Sequence, residues 1–391
     1  MNNKILQQEI QEYINNHLKS DFHKLILKGI TFEGITVQEV ANQLICKQKC
    51  EKKLPTWFLG SQIYYPSRIN IEQTSSELTA KYKTSLVSGK KLIDLTGGFG
   101  VDSYYFSTAF EKVIHCELDE NLSRIVSHNF KQLNKTNIDT VSENSIQYLK
   151  KSKEFYDVIY VDPSRRDDVK GKVFLLKDCK PNIPKYIDLL FNKTKTILIK
   201  CSPILDITSA LNELKFVKEI HVVAVNNDVK ELLYLMEKEY NGNIKINTIN
   251  FSKNNSQEFN FDLNKKSISN FEEPLNYLYE PNAAILKSGG FHEVTNQLDV
   301  YKIHQHSHLY TSKNLVKFPG RKFKIVNVLG YDKKKILKIL PNKKANITTR
   351  NFSKSVAQLR KELKIKDGGN DYLFFTTNLH HKLICIHCER L

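Results

Sequence analysis

KLIDLTGGFGVD, residues 91–102, is the stretch that decides the fold. KLIDL is a short apolar run of strand length, and the glycines at 97, 98 and 100 follow it at once. A run of helical character, DSYYFSTAF, comes next. Strand, glycine turn and helix open a nucleotide-binding βαβ unit. The pattern continues outward: KVIHCEL, DVIYVD, TILIKCS and EIHVVAV read as further strands, with ENLSRIVSHNFKQLN and DITSALNEL as helices between them. Such alternation predicts an α/β fold, a parallel sheet covered by helices, with ligands bound at the carboxyl ends of the strands.

The glycine turn fits one template better than another. In the dinucleotide pattern G-x-G-x-x-G, Gly98 and Gly100 supply the first two glycines, but the third falls on Ser103. That glycine normally lets the helix pack closely on the strand. The pattern acid, x, Gly or Thr, x, Gly, x, Gly is met throughout by Asp94, Thr96, Gly98 and Gly100, and Gly97 adds freedom. Here the acid can fix the loop or a ligand's amino group, and the small residues let a bulky adenosyl ligand without phosphates approach the backbone. Glu117, at the end of the second strand, is placed to accept both hydroxyls of a ribose; a helix-capping acid is the plain alternative. In DVIYVDPSRRD a buried strand stops at Asp162-Pro163, because proline cannot continue the ladder, and Asp162, Ser164 and Arg165 are presented at the sheet edge.

Together these residues resemble the motifs of class I S-adenosylmethionine (SAM)-dependent methyltransferases. DLTGGFG matches the first motif, Glu117 the ribose acid, and DPSR the tetrapeptide beside the transferred methyl; the likeness covers roughly residues 70–240. It implies a Rossmann-like sheet that binds SAM through Asp94, Thr96, Gly97, Gly98, Gly100 and Glu117. Asn144 stands where many members place an adenine-contacting Asp. The catalytic group implied is Asp162, Pro163, Ser164 and Arg165. Members that methylate exocyclic amines usually continue with Pro and an aromatic residue, a pattern that Ser164 and Arg165 break. DP-x-R is closer to enzymes acting on pyrimidine carbon 5, whose nucleophilic cysteine would correspond to Cys201 in TILIKCSPILD; a small apolar strand residue is the simpler reading of that cysteine. Arg165 and Arg166 could hold phosphate or base, or pair with Asp167 and Asp168.

More of the chain is similar to a bacterial subfamily with a C-terminal THUMP-like domain. The stretches that carry this are EQTSSELTAKYK, IKCSPILD, VNNDVKELL, EPNAAILKSGG and NITTRNFSKSVAQLRKELKIKDGGNDYLFFT. The resemblance implies an RNA substrate, tRNA or rRNA. Charge gives the same indication independently. Of a net charge of +17, residues 311–366 contribute 17 Lys or Arg against two acids. Concentrated positive charge attracts polyanions through counterion release; a solvated lysine-rich face is the alternative.

The expected organisation is an N-terminal helical region (1–80), the methyltransferase domain (81–248), a small ferredoxin-like α+β module (272–320) and a basic THUMP-like domain (321–391). Polar residues 250–270 read as a linker or surface excursion. With no apolar run of membrane-spanning length and no secretory signal, a cytoplasmic protein is expected. Seven cysteines, mostly among apolar neighbours, read as reduced thiols. His304, His306 and His308 fall at strand spacing, which would put three imidazoles on one face, although no further metal ligand is evident. Cys385, His387 and Cys388 read as a buried final strand. Trp57, Tyr64 and Tyr65 near Lys52, Lys53 and Arg68 suit either base stacking or helix packing. Two other classes stay open: an RNA-binding protein that has lost catalysis, which weak SAM binding would favour, and a methyltransferase of protein or small molecules, for which the basic segment has no use.

Overall fold

The computed structural model describes residues 1–20, 32–165, 175–253, 255–263 and 268–391. Two compact units emerge, one of Met1–Lys218 with Leu233–Asn241, the other of Glu219–Leu232 with Gly242–Leu391.

The first unit begins with helices α1 (Gln8–Asn16), α2 (Val37–Lys53), α3 (Pro55–Leu59), α4 (Arg68–Gln73) and α5 (Glu77–Ser85). A Thr36/Glu39 capping box starts α2, and Leu44, Cys46 and Cys50 lie on its buried side. Trp57 is 0% exposed, and Tyr65 donates its hydroxyl to the Trp57 carbonyl at 2.8 Å. These aromatics are core, so the base-stacking reading of the cluster does not hold.

A parallel sheet follows, of β1 (Lys91–Asp94), β2 (Lys112–Cys116), β3 (Ile138–Val141), β4 (Tyr156–Val161) and β7 (Thr194–Cys201), in the order β7-β4-β1-β2-β3. Ile93 sits opposite both Ile114 and Ile159, all buried. Strands covered on both faces read as continuous apolar runs. Helices α6 (Val101–Phe106), α7 (Glu120–Gln132), α8 (Ser145–Lys151), α9 (Ile183–Phe191) and α10 (Ile207–Glu213) connect them. Beyond Pro163 a two-stranded ribbon forms, β5 (Ser164–Arg165) against β6 (Cys179–Lys180), with Ser164 opposite Lys180. Arg166, Asp167, Asp168 and the Arg165 side chain lie outside the described residues, so the pairing expected of them has no structural account here.

The chain crosses between units along β8 (Val217–Val225) and β9 (Asp228–Glu237). In the second unit β10 (Lys245–Phe251) runs parallel to β8 and pairs antiparallel with β11 (Ser256–Asp262). This corrects the linker reading for residues 256–262, which form an edge strand of the sheet. The segment is polar because β11 buries only Phe259, while its other residues face outward or lie at the border. A seven-stranded sheet follows, built from β12 (Tyr277–Pro281), β13 (Tyr301–Lys302), β14 (Tyr310–Ser312), β15 (Gly320–Gly330), β16 (Asn346–Thr349), β17 (Asp371–Thr377) and β18 (Leu383–Arg390), in the order β13-β14-β12-β15-β18-β17-β16. Helices α11 (Ala283–Ser288), α12 (Phe291–Gln297), α13 (Lys333–Lys338) and α14 (Val356–Leu363) complete it. Leu359, Leu363 and Ile336 pack with Leu373, Phe375 and Cys385, and a second cluster gathers Phe323, Phe374 and Ile386. Cys385, His387 and Cys388 lie in β18, and His387 bonds Asp371 at 2.7 Å.

The histidine expectation is corrected. Residues 303–309 form a turn, with His308 at φ 52°, rather than a strand. His304 faces His381 at 3.3 Å while His308 stacks on Phe291, so the three imidazoles share no face. No group of His, Cys, Asp or Glu among the described residues is arranged to hold a metal ion. No helix among them is long and apolar enough to cross a membrane. All seven cysteines are free and buried.

Candidate functional site

At the carboxyl ends of β1, β2 and β4 a cavity of about 770 Å³ opens within the first unit. It is lined by Thr96, Gly97, Gly98, Glu117, Asn144, Asp162 and Ser164 of the residues singled out from sequence. Asp94, Gly100 and Pro163 are not among its lining residues.

Each glycine has its own reason. A Cβ on Gly97 would lie 2.0 Å from His115 Cε1, under the loop. Gly100 has φ 80° at the start of α6, where a Cβ would meet Phe130 and Val126 of α7. Gly98, at φ 55°, has only the Thr96 carbonyl within reach, at 3.9 Å, so its surface faces open space. The first two hold loop and helix together; the third leaves room for a ligand.

Asp94 is buried and fixes the loop. It accepts from Thr96 N at 3.0 Å and from Ser103 Oγ at 2.7 Å, and Ser103 Oγ lies 3.0 Å from His115 Nδ1. The serine that breaks the dinucleotide pattern is therefore the middle of a buried relay. Since its proton goes to Asp94, His115 Nδ1 is the donor to the serine, and Nε2 is left without a partner.

Burial pushes the Asp94 carboxyl up to about 7 from 3.8, and the His115 imidazole down to about 3 from 6.5. The two linkages have opposite signs. Folded Asp94 keeps a proton that the unfolded chain releases, so its contribution is full below 3.8 and lost as pH rises through about 7. Folded His115 lacks a proton that the unfolded chain binds, so its contribution is full above 6.5 and lost as pH falls through about 3. Between 3.8 and 6.5 the slopes oppose. Asp94→Asn leaves the histidine alone, so this variant should gain stability more steeply than wild type as pH rises across that window. Urea midpoints at several pH values check it; parallel slopes would contradict the upward shift of the Asp94 carboxyl.

Glu117 Oε2 accepts from Gly98 N at 2.9 Å and Oε1 from Asp119 N at 2.8 Å. Its carboxylate is thus held at the cavity rim with acceptor capacity to spare. Asn144 caps α8, its side chain accepting from Ile146 N and Gln147 N. Thr96 Oγ1 accepts from Asp162 N at 2.6 Å, tying the glycine turn to the Asp162-Pro163 turn. The Asp162 carboxylate pairs with Lys200 of β7.

Cys201 follows Lys200 but is 2% exposed, and burial, then the nearby Asp162 charge, hold its thiol well above the usual range. It is absent from the cavity wall. That is the environment of a core residue, not of a thiolate nucleophile.

Sequence reasoning missed a buried polar cluster behind the loop. Fully buried Lys83 of α5 pairs with Asp102 at 3.2 Å and donates to Ser75 Oγ at 3.1 Å. Asp102 Oδ2 also accepts from Ser75 Oγ and Tyr160 OH, at 2.8 and 2.7 Å. An acid two residues after the last glycine of the turn was the available signal. Its lysine partner ends the stretch EQTSSELTAKYK, and nothing local in that stretch marks Lys83 as buried.

An open glycine cradle at Gly98 and a carboxylate at the end of β2 could hold an adenosyl ligand, and a second carboxylate, Asp162, stands at the end of β4. Comparison with known proteins agrees with this fold. Residues 277–319 match a ferredoxin-like domain family, and residues 320–390 a THUMP domain-like family. An uncharacterized RNA methyltransferase of Mycoplasma mobile, MMOB5020, is 32% identical over 94 residues, 24% of this chain. The chain spans about a quarter of the length of that curated relative. A crystal structure from Porphyromonas gingivalis W83, described as a "putative methyltransferase", superposes with a TM-score of 0.88 at 30% identity, covering 100% of this chain and 99% of the other. A likeness of that extent over both whole chains means that this protein belongs to the methyltransferase family whose members carry a THUMP-like domain.

Proposed function

We propose that the protein is a cytoplasmic SAM-dependent RNA methyltransferase that methylates a base in tRNA or rRNA. One observation carries the reading: a single cavity gathers Gly97, Gly98, Glu117, Asn144, Asp162 and Ser164 from four separate strand ends. When bound, SAM supplies an electrophilic methyl on a sulfonium, which is displaced in line. The chain's part is to bind, orient and manage a proton. The glycine loop admits the ligand to the backbone, Glu117 accepts ribose hydroxyls, and the Asn144 turn borders the base. Asp162, paired with Lys200, accepts a hydrogen bond or a proton from the acceptor.

The RNA part of the reading is supported by the basic block. Within it Arg321 and Arg350 are taken up by the buried Glu280, at 2.6 and 2.9 Å, and so serve the fold. The lysines of α13 remain exposed for phosphate. The name of the Mycoplasma relative points the same way.

Glu117→Ala tests the cofactor assignment. Losing a doubly hydrogen-bonded ribose acceptor should weaken SAM binding by one to two orders of magnitude, taking about 1.5–3 kcal/mol for bonds to a charged group. Calorimetric titration of SAM reads this directly. Unaltered binding would place the ligand elsewhere.

A further inference from the structure

The carboxylates lining the cavity already have partners. Asp102 pairs with Lys83, Asp162 with Lys200 and Glu143 with Lys151. Glu117 accepts from two backbone amides, and Asp119 caps α7 through Leu122 N. Three lysines of the same cavity, Lys150, Lys180 and Lys185, are exposed and have no acidic partner among the described residues. Two of them flank one aromatic ring. Lys150 Nζ and Lys185 Nζ lie 5.9 and 5.6 Å from the ring centroid of half-buried Tyr186, which also lines the cavity. Lys180 joins this group to the chemistry, because β6 places it opposite Ser164 in the ribbon that leaves the Asp162-Pro163 turn.

A ligand for this wall must carry several negative charges and a flat face. SAM has one carboxylate and no phosphate, so three ammonium groups without an acidic partner among the described residues exceed what it can use. Single-stranded nucleic acid meets both demands, with phosphates for the lysines and a base for the tyrosine. We propose that Lys150, Lys180, Lys185 and Tyr186 form a docking wall for the single-stranded RNA segment flanking the target nucleotide. The lysines neutralise backbone phosphates, and a neighbouring base stacks on Tyr186 while the target nucleotide turns into the cavity. This rests on the RNA methyltransferase reading and adds to it a contact surface outside the basic C-terminal block.

The test uses the full chain and a fluorescein-labelled, mixed-sequence single-stranded RNA, with anisotropy measured over a range of salt. Lys150→Ala/Lys180→Ala/Lys185→Ala should flatten the slope of log K against log salt by about 2, at roughly 0.7 per phosphate on a single strand. Tyr186→Ala should weaken binding roughly tenfold with the slope unchanged. SAM titration should be unaffected in both, which also shows that the variants fold. Wild-type binding with neither variant altered would overturn the wall and leave the RNA reading standing. If the wild type binds no RNA, the RNA reading falls and the wall with it. Loss of SAM binding by the lysine variant, with an unchanged circular dichroism spectrum, would assign the wall to the cofactor and overturn the proposal.

Discussion

Asp162→Ala is expected to lower methyl transfer by a factor of about 10²–10⁴, the usual range for a positioned acid or base, while SAM affinity changes little. The reason lies in the turn. Asp162 N is held by Thr96 Oγ1 and its carboxylate by Lys200, so the group sits at the cavity edge without being part of the glycine cradle. Cys201→Ala is the comparison that separates two chemistries. Attack at pyrimidine carbon 5 needs a thiolate, and this thiol is buried and held well above its usual range. Activity within about threefold of wild type, a change worth well under 1 kcal/mol, is therefore expected of that variant. Loss of activity in Cys201→Ala with SAM binding retained would reverse the assignment.

Lys83→Met is expected to cost about 3–5 kcal/mol of folding stability, because it strands a buried carboxylate whose partner is gone. Lys83 is fully buried and its ammonium lies 3.2 Å from Asp102, at the first turn of the helix that follows the glycine loop. Removing both charges together, in Lys83→Met/Asp102→Leu, should cost far less than the sum of the two single changes, since the desolvation penalty is removed along with the attraction. Denaturant unfolding of the two single variants and the double variant measures the coupling. Additive losses would mean that the pair does not act as a unit. Because Ser75 and Asp102 also line the cavity, the single variant should loosen the loop and weaken SAM binding as well.

What could be read from the sequence was what depends on local chemistry. The glycine turn was legible because close contacts at 97 and 100 leave no room for a Cβ, and the positive φ at 98 and 100 favours glycine. Asp162-Pro163 was legible because proline ends a ladder. Other features depend on partners distant in the chain and give no local sign. Ser103 reads as a failed glycine until Asp94 and His115 are seen on either side of it. Edge strand β11 alternates polar residues much as a linker does, and only buried Phe259 distinguishes it. Histidines at alternate positions suit a strand, yet the chain turns there. Lys180 gains meaning only through its register opposite Ser164.

The central claim is transfer of a methyl group from SAM to RNA. The most direct measurement incubates the full-length protein with radiolabelled SAM and bulk RNA from a strain lacking its gene, including partly assembled ribosomal RNA, and then resolves the labelled nucleosides. One labelled nucleoside, formed by wild type and by Cys201→Ala but not by Asp162→Ala, is the predicted result. Binding of SAM with label appearing in protein or a small molecule, and none in any RNA, would contradict it.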